Sequence, residues 1–549
     1  MKSVIIDKIQ QAAAQLQAQG KWEAISLPTI EISYPSHSQH GDYASNIAMK
    51  LAKLLKKNPL QIGEELAEAI DREGIENIEV VAPGFLNFFV NEKFLAGGVR
   101  LILEQGEHFG ENTLGVVDGK PQTLMIEFLS ANPTGPIHLG NGRAGFTGDV
   151  LGNVFRASHY NVISEYYIND HGKQLDNLAE SVLRRYLQLQ GINVDYGDEL
   201  YKGDYVKDLA SKIHLKDVKL GNNNAMLEMR NEVKEWALQE MVKQIQDFVQ
   251  NTLKIHYDVW KSERSLYEPK LVAEAEQFMK DKGVLYEQDG ATFFATTRYG
   301  DDKDRVIRKS DGETTYFYSD ILYLIDKFVR RHVDKWVWYL GADHHGYEGR
   351  IQAAMTALGH GGKLDLNFVQ LVRLMFNGKE LRMSKRKGTF VTLEELVEEV
   401  GIDVARWFFL MYDANTHMDF DLNLARERSD NNPVFYVQYA YARICSLLAK
   451  TGQHEAAPIQ FTNPAEEDLV KLLFQLPEVV LDIAQTYHVH KLPQYALELA
   501  RAFHKFYSVS RVIEEDGSVN LSRYQLVLAT QVVLANTLRL MRVTAPTKM

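Results

Sequence analysis

The sequence contains a single cysteine, Cys445, among its 549 residues. One cysteine excludes an intrachain disulfide and a thiolate metal cluster. Because Cys445 lies at an apolar position of the helical pattern YARICSLLAK, we expect a buried core cysteine and not a nucleophile. The sequence also lacks an apolar run of about 20 residues, the length that a membrane-spanning helix needs. Its amphipathic start, charged at Asp7 and Lys8, is not typical of a signal peptide.

These absences predict a soluble, cytoplasmic protein with no membrane partner. An excess of basic residues is missing too, since the net charge is −12 and the pI is near 5.8. A domain dedicated to nucleic-acid binding is usually basic, so the global charge argues weakly against RNA as a partner. A large acidic protein can still bind a polyanion through local basic stretches.

The length exceeds what one hydrophobic core usually organises, so we expect several domains. Up to about residue 110, helical and strand patterns alternate as in a compact α+β module. In this module a helix is stopped at Asn58-Pro59, and Pro83-Gly84 joins two strands, ENIEVV and FLNFFV. The predicted division is 1–110, 111–370, 371–425 and 426–549.

From about residue 120 the pattern changes to apolar strands followed by long helices. The strands TLMIEFL, VISEYYI and KWVWYLG predict the parallel sheet of a Rossmann-like α/β domain. A polar stretch at about 195–262 is expected to be an insertion, and Asp289-Gly290 and Asp311-Gly312 predict β-hairpins. No strand signal remains beyond about 400, and the chain should end in an all-α helical bundle.

The first chemical motif is ANPTGPIHLGN, residues 131–141, between a strand and a helix. A helix N-terminus facing the carboxyl end of a parallel strand is where open α/β sheets bind nucleotides. Here Pro136 and Gly140 could lie against a purine, and His138 could donate to phosphate. Glycines at 142, 145 and 148 would let the helix pack closely on the sheet. The alternative is a glycine-rich packing helix with an incidental histidine.

Two further motifs contain residues that could also bind parts of a nucleotide. In YLGADHHGYEGR, residues 339–350, Gly341, Asp343 and His344 follow a strand, and Asp343 could bind ribose hydroxyls. A metal pair is the alternative there, but no further ligands cluster in the sequence, so we expect no protein-bound metal. ELRMSKRKGTFVTL, residues 380–393, crowds cations around Met383 and Ser384, and such a cluster suits a polyphosphate. Its alternative is a solvated basic loop.

In this order, His-Leu-Gly-Asn, Gly-Ala-Asp-His-His-Gly and Met-Ser-Lys-Arg resemble the signatures of class I aminoacyl-tRNA synthetases. The first and the last resemble the HIGH and KMSKS motifs of that class. EFLSANPTGPIHLGN, TYFYSDILY, GDYASNIAMKLAK and NPVFYVQYAYARI resemble arginyl-tRNA synthetases over nearly the whole chain. Three positions depart from the class pattern: Leu139, Asn141 and Arg382.

The resemblance implies activation of arginine by ATP with Mg²⁺, followed by transfer to the terminal adenosine of an arginine-accepting tRNA. It implies ATP binding by the residues of the three motifs: Pro136, His138, Gly140, Gly341, Asp343, His344, Met383 and Lys385. The expected catalytic set is His138, Gly140, Asn141, Ser384 and Lys385.

For the amino acid, the resemblance implies that Glu127, Tyr316 and Asp320 contact the guanidinium and that Asn132 holds the α-amino group. Glu263 is an addition to this set. A planar cationic fork needs fixed carboxylate acceptors, which a lysine ammonium would leave unpaired. The alternatives are ordinary: a strand-end charge for Glu127, core packing for Tyr316 and a helix N-terminal charge for Asp320.

The helical domain is expected to bind the anticodon through Tyr436, Gln438 and Tyr439, whose groups suit unstacked bases, although core packing would explain some of them. The N-terminal module resembles the family's domain for the tRNA elbow, and 371–425 its stem-contact region. We expect a monomer.

Competing hypotheses are a class I enzyme for another amino acid such as cysteine, a non-catalytic RNA-binding relative, and a small-molecule adenylate-forming ligase. Cysteine enzymes typically hold zinc with thiolates, which one cysteine cannot provide.

Overall fold

A computed structural model describes residues 2–35, 38–215, 223–381 and 392–549. The first part of the chain is an α+β module with an antiparallel sheet of order β1-β2-β4-β3. Its elements are α1 (Lys2–Ala18), β1 (Ile32–Ser33), β2 (Tyr43–Ser45), α2 (Ile47–Leu55), α3 (Pro59–Ala69), β3 (Ile75–Val81), β4 (Phe85–Val90) and α4 (Glu92–Gln105).

The predicted break at Asn58-Pro59 is confirmed, and its cause is local. Lys56 adopts a left-handed conformation that ends α2. The side chain of Asn58 accepts a hydrogen bond from the Leu60 amide at 2.9 Å, and Pro59 occupies the first helical position, where no amide hydrogen is needed.

The middle of the chain is built on a five-stranded parallel sheet of order β14-β13-β7-β8-β9. The strand order reverses between β7 and β13, which makes this point the topological switch of the sheet. The elements begin with β5 (Val116–Val117), β6 (Lys120–Pro121), β7 (Thr123–Glu127), α5 (Leu139–Ala157), β8 (Asn161–Ile168), α6 (Lys173–Leu189), α7 (Asp204–Lys212), α8 (Asn223–Asp247) and β9 (Val259–Ser262). They continue with α9 (Pro269–Asp281), β10 (Leu285–Gln288), β11 (Ala291–Phe294), β12 (Arg305–Arg308), α10 (Tyr316–Ile325), β13 (Lys335–Gly341), α11 (Glu348–Leu358) and β14 (Leu364–Val369).

The predicted insertion differs from the observed one at both ends. Helices α6, α7 and α8 share a separate apolar core, so the helical insertion begins at α6. The predicted range 195–262 also includes β9, which pairs with β8 in the sheet. This edge strand was missed because its four half-buried residues show no apolar run.

Of the two β-hairpins predicted at Asp-Gly turns, one is observed and the other is incomplete. Asp289-Gly290 joins β10 to β11 as predicted, with positive φ at both residues. Asp311-Gly312 closes a turn with a single bridge between Arg308 and Thr314, short of a full hairpin.

The last part of the chain is largely helical, as predicted. It comprises β15 (Val372–Phe376), β16 (Lys379–Glu380), α12 (Leu393–Val400), α13 (Ile402–Leu410), β17 (Met418–Asp421), α14 (Leu422–Arg426), α15 (Pro433–Thr451), α16 (Pro464–Leu473), α17 (Leu476–Thr486), α18 (Lys491–Val509) and α19 (Leu521–Met541). The expectation of no strand beyond about 400 is wrong, because β17 pairs in parallel with β15. Four residues are too few for a periodicity to show.

The helical domain packs on both other parts of the chain. The Asn536 side chain donates to the carbonyls of Gly106 and Phe109, at 2.9 Å each, next to α4. On the catalytic part, the Asn153 side chain of α5 donates to the Leu540 carbonyl of α19 at 3.0 Å. Arg406 on α13, which precedes the helical domain, is buried and pairs with Asp149 on α5 at 2.5 Å. Within the described ranges, no helix is both long and apolar enough to cross a membrane.

Candidate active site

The two strands that carry the first and the middle motif are neighbours in the sheet. β7 and β13 pair in parallel with Trp338 opposite Glu127, so their carboxyl ends meet at one edge. The loop at residues 128–138 leaves β7 and enters α5, while Gly341 ends β13 and leads into a short 3₁₀ helix. The sheet therefore brings the two motifs together at its switch point, where open α/β sheets bind nucleotides.

Helix α5 approaches its neighbours closely at three of its glycines. A Cβ on Gly148 would lie 2.3 Å from Cγ of Phe128, and one on Gly145 would lie 2.7 Å from Cδ1 of Leu129. A Cβ on Gly142 would lie 2.7 Å from Cδ1 of Leu393. The predicted close packing on the sheet side is confirmed at Gly145 and Gly148, which face residues directly after β7, whereas Gly142 packs against α12.

Gly140 is different from the other glycines of α5. It is exposed, and no atom of the described part of the chain lies within 4 Å of the position of a Cβ there. Its neighbour His138 is the exposed N-cap residue, and its side chain does not cap the helix. Asn141 lies in the first turn, half-buried, with its amide donating to the His138 carbonyl at 3.0 Å. The backbone at Gly140 thus presents an open surface at the helix N-terminus.

The last two residues of the basic segment, Thr392 and Leu393, lie at the same helix N-terminus. Met383, Ser384 and Lys385 lie outside the described residues. The chain re-enters at Thr392, which forms a β-bridge with His138, and the Leu393 amide donates to the Ile137 carbonyl at 2.9 Å. The carboxyl end of the basic segment is therefore anchored beside the first motif.

The residues after β13 are exposed at the sheet edge. Asp343 lies in the 3₁₀ helix Ala342–Tyr347, and its Oδ2 is 3.7 Å from Nε2 of His344. A Cβ on Gly341 would lie 2.5 Å from Oδ1 of Asp343, so this side chain folds back over the strand end. Pro136 is half-buried in the loop after β7, across the sheet edge.

Two carboxylates interact next to this edge, one on α10 and one directly after β9, and the space between them is called the acidic recess here. Asp320 is on α10, and its Oδ2 is buried and accepts no hydrogen bond from the described residues. Burial, together with the negative charge of Glu263, raises the pKa of Asp320 to about 7. Burial likewise raises the pKa of Glu263, which interacts with Tyr167 and Ser319. Two buried carboxylates that lack full cationic compensation are suited to a bound cation.

Two residues after β13 border this recess, although the sequence analysis assigned them no role. Tyr347 hydrogen-bonds Asp320, and the guanidinium of Arg350 lies 3.9 Å from the centre of the Tyr347 ring. Both lower the pKa of Asp320, but burial outweighs them. Tyr347 belongs to the motif YLGADHHGYEGR. Its position next to a ligand-binding edge is the feature of the sequence that could have predicted a role for it.

Tyr316 and Asp320 are both on α10, but their environments are opposite. Tyr316 is the first residue of the helix and is 86% exposed, so the alternative of core packing is wrong for it. Its ring lies in solvent, whereas the Asp320 carboxylate is buried in the recess.

Glu127 does not face an open recess. Its carboxylate is 1% exposed and accepts hydrogen bonds from Tyr323 at 2.7 Å and from Lys327 at 3.0 Å. Lys327 also pairs with Glu165 at 2.5 Å. This arrangement differs from both expectations, direct contact with a guanidinium and a strand-end surface charge. The pairing with Lys327 could not be predicted from the sequence, because this residue is 200 residues from Glu127 in the chain.

The proposed tRNA-contacting residues on α15 divide into two groups. Tyr439 is 41% exposed, and Tyr436 is half-buried, with its ring 5.0 Å from that of His504. Gln438 points inward, where it donates to Asp403 at 3.0 Å and to the Thr544 carbonyl at 2.9 Å. Gln438 is therefore engaged inside the protein, although the sequence offered internal packing as an alternative only for the tyrosines.

Three family models match the chain in succession. They are described as the arginyl tRNA synthetase N terminal domain, at 3–90, the class I (R) tRNA synthetase catalytic domain, at 106–418, and the DALR anticodon binding domain, at 437–549. An arginine–tRNA ligase of Bacillus velezensis is 40% identical over 559 residues, which cover 100% of this chain and 99% of the relative. The chain belongs to the arginyl-tRNA synthetase family.

Other members of the arginyl-tRNA synthetase family are similar in sequence or in fold. An arginine–tRNA ligase of Bacillus subtilis is 40% identical over 563 residues, covering 100% of this chain and 99% of the relative. The Thermus thermophilus arginyl-tRNA synthetase structure has a TM-score of 0.77 at 21% identity, over 100% of both chains. A Plasmodium falciparum arginyl-tRNA synthetase structure has a TM-score of 0.75 at 16% identity, over 100% of this chain and 99% of the other. These two structures support the three-part fold.

Proposed function

We propose that this arginyl-tRNA synthetase family member activates arginine with ATP and transfers the arginyl group to the terminal adenosine of its tRNA. The observation that carries the proposal is the recess with Asp320 and Glu263, two buried carboxylates beside the nucleotide-binding edge of the sheet. A guanidinium stays charged at any physiological pH, and its planar fork can donate to both carboxylates at once.

The first step joins arginine to the α-phosphate of ATP. An oxygen of the arginine carboxylate attacks the α-phosphorus, the bond to the bridging oxygen breaks, and arginyl-adenylate and pyrophosphate form. Positioning and charge stabilisation supply most of the acceleration in such reactions. We assign the purine to the open backbone at Gly140, the ribose to Asp343, and the phosphates to His138 and Lys385. Mg²⁺ would accompany ATP on its phosphate oxygens.

The second step transfers the arginyl group. The 2′-hydroxyl oxygen of the terminal adenosine attacks the carbonyl carbon of the adenylate, AMP leaves, and the hydroxyl proton passes to the departing phosphate or to solvent. The exposed helix N-terminus at His138 leaves this side of the adenylate accessible to an incoming strand.

The guanidinium contacts are assigned to the carboxylates without a close cationic partner. We assign Asp320 and Glu263 as the direct partners and Tyr316 as a residue that covers the ligand from α10. Glu127 is already paired with Lys327, and its negative charge raises the pKa of Tyr167, as does that of Asp320. Asn132 receives the α-amino group.

The remaining parts of the chain complete the proposal. The division at about 110, 370 and 425 separates tRNA-elbow, catalytic, stem-contact and anticodon-binding regions. Tyr436 and Tyr439 offer rings to unstacked bases, and Gln438 supports them from inside. The protein is proposed to act as a cytoplasmic monomer.

The test is ATP–pyrophosphate exchange in the presence of arginine-accepting tRNA, with arginine compared against lysine and the other amino acids. We expect exchange with arginine and at least about 10⁴-fold less with lysine, which leaves the carboxylates unpaired. Asp320→Ala should abolish exchange or raise the arginine KM. Lys385→Ala should slow exchange.

The exchange assay also separates the competing hypotheses. A complete lack of exchange with arginine and tRNA would support the non-catalytic relative. Exchange with another amino acid in preference to arginine would overturn the assignment of the recess. Normal arginine kinetics in Asp320→Ala would remove Asp320 from it.

A further inference from the structure

The helical insertion reaches the loop that carries the first motif. Gln174, the second residue of α6, accepts a hydrogen bond on Oε1 from Nδ2 of Asn132 at 3.0 Å. From α7, the Tyr205 hydroxyl donates to the Thr134 carbonyl at 2.8 Å. The Tyr205 ring lies 3.2 Å from the position of a Cβ on Gly135. Two helices of the insertion therefore hold residues 132–135.

The beginning of the same loop is held from the sheet. Leu129 and Ser130 have φ values of 67° and 37°, a region that residues other than glycine seldom adopt. Oγ of Ser130 accepts from the Tyr167 amide at 3.0 Å, and the Tyr166 hydroxyl donates to the Ala131 carbonyl at 2.9 Å. Sheet and insertion together confine the loop, which has no regular structure of its own.

The bond to Gln174 decides which end of the Asn132 amide is available to a ligand. A side-chain amide has an acceptor oxygen on one side and a donor NH₂ on the other. With Nδ2 engaged by Gln174, Oδ1 is turned away from the insertion and is left to accept. The α-ammonium of an amino acid has only donors, so it needs this oxygen and is repelled by an NH₂ group.

We propose that Gln174 is a positioning residue that orients Asn132 toward the α-ammonium of arginine, and that Tyr205 holds the same loop from α7. The apolar core of the insertion is separate from the main core. Through Gln174 and Tyr205, the position of the insertion therefore affects the amino-acid site. This inference rests on the proposed arginine activation.

The test compares arginine with 5-guanidinopentanoic acid, which lacks only the α-amino group. In Gln174→Ala, the arginine KM in pyrophosphate exchange should rise about tenfold or more, the usual effect of losing a hydrogen bond to a charged group. The inhibition constant of 5-guanidinopentanoic acid should change less than about twofold, because this ligand does not use Asn132. Gln174→Glu keeps Oε1 as an acceptor and should restore arginine binding.

Two outcomes would overturn the role of Gln174. Equal weakening of both ligands in Gln174→Ala would show a general structural defect, and no weakening of either would show that Asn132 needs no support. A parent protein with no arginine exchange would contradict the proposed function itself. A fully active parent with unaffected variants would contradict only this inference.

Tyr205 has a matched control inside the insertion. The Tyr196 hydroxyl donates to the Tyr201 carbonyl, so Tyr196→Phe removes the same kind of bond without reaching the loop. We expect Tyr205→Phe to lower kcat/KM for exchange about fivefold to tenfold, and Tyr196→Phe to change it less than about twofold. Equal effects of the two variants on kcat/KM would overturn the role of Tyr205.

Discussion

The protonation state of Asp320 determines the charge that the acidic recess offers to a ligand. The Asp320 pKa of about 7 means that this carboxyl is partly protonated in the free protein at neutral pH. Burial and the negative charge of Glu263 raise this pKa, and they outweigh Tyr347 and Arg350, which lower it. Tyr167 and Tyr267 are the other ionisable groups whose charges interact with Asp320. A bound guanidinium would favour the ionised form, so arginine binding should displace the proton.

This leads to a prediction about arginine affinity. The dissociation constant for arginine should be constant above about pH 7.5 and should rise by up to about tenfold per pH unit below pH 7. Calorimetric titration from pH 5.5 to 8.5, in buffers of different ionisation enthalpy, measures the affinity and the released proton together. An affinity independent of pH across this range would contradict the assignment.

The same carboxyl affects folding. Between about pH 4 and pH 7 the folded protein binds a proton at Asp320 that the unfolded chain releases, so the free energy of unfolding falls as pH rises through this window. Asp320→Asn should therefore unfold at a higher temperature than the parent at pH 8. At pH 4 the two proteins should unfold alike. If Asp320→Asn gains stability and loses arginine binding, the buried carboxylate of Asp320 serves ligand binding at a cost in stability.

Helix α5 carries two kinds of glycine, and the structure distinguishes them. Gly148 faces Phe128 at a distance that leaves no room for a methyl group, whereas Gly140 faces open space among the described residues. The helix therefore has no room for an added methyl group at Gly148, whereas it is open at its N-terminal end among the described residues. This geometry agrees with the proposed ligand site at the end of the helix and not along its side.

Alanine at these two glycines should give opposite results. Gly148→Ala should lower the free energy of unfolding by about 1–3 kcal/mol through overpacking. Gly140→Ala should leave stability unchanged or raise it by up to about 1 kcal/mol, since alanine favours helix, while the ATP KM rises about tenfold or more. Thermal unfolding and exchange kinetics measure both effects. An unchanged ATP KM in Gly140→Ala would remove the purine from this surface.

In the whole molecule, the catalytic and helical parts are joined by buried polar contacts as well as by apolar packing. The guanidinium of Arg406 on α13 pairs with Asp149 on α5 and donates to the Leu253 carbonyl at 2.7 Å. Arg406 thereby connects α13 with α5 and with the chain leading into β9, and it reaches the helical part at the Met541 carbonyl, 3.5 Å away. Because these groups are shielded from water, removal of one partner leaves an unpaired buried charge.

A comparison of two arginines tests this role. Arg406→Ala should lower the free energy of unfolding by about 3–5 kcal/mol. Arg373 makes a similar two-pronged pair with Asp419, at 2.7 and 3.0 Å, but both side chains are about half exposed. Arg373→Ala should therefore cost less than about 1 kcal/mol. Equal losses in denaturant unfolding would show that the Arg406 pair does not hold the two parts together.

Features encoded by neighbouring residues were predictable from the sequence. The three main strands, the helix after ANPTGPIHLGN and the break at Asn58-Pro59 all depend on short-range patterns, and all are observed. β9 and β17 were missed, because four-residue strands have no measurable period and form through pairing with distant partners.

By itself, the sequence determined the family, the parallel α/β class and the edge of the sheet that carries the motifs, because motif order and hydrophobic period are written along the chain. It could not distinguish Glu127 from Asp320, two carboxylates to which the resemblance gives the same role. The tertiary structure distinguishes them: Lys327 neutralises Glu127, while Oδ2 of Asp320 is buried without a described partner. Burial and pairing depend on residues far apart in the chain, so only the folded arrangement decides which charge is left for a ligand.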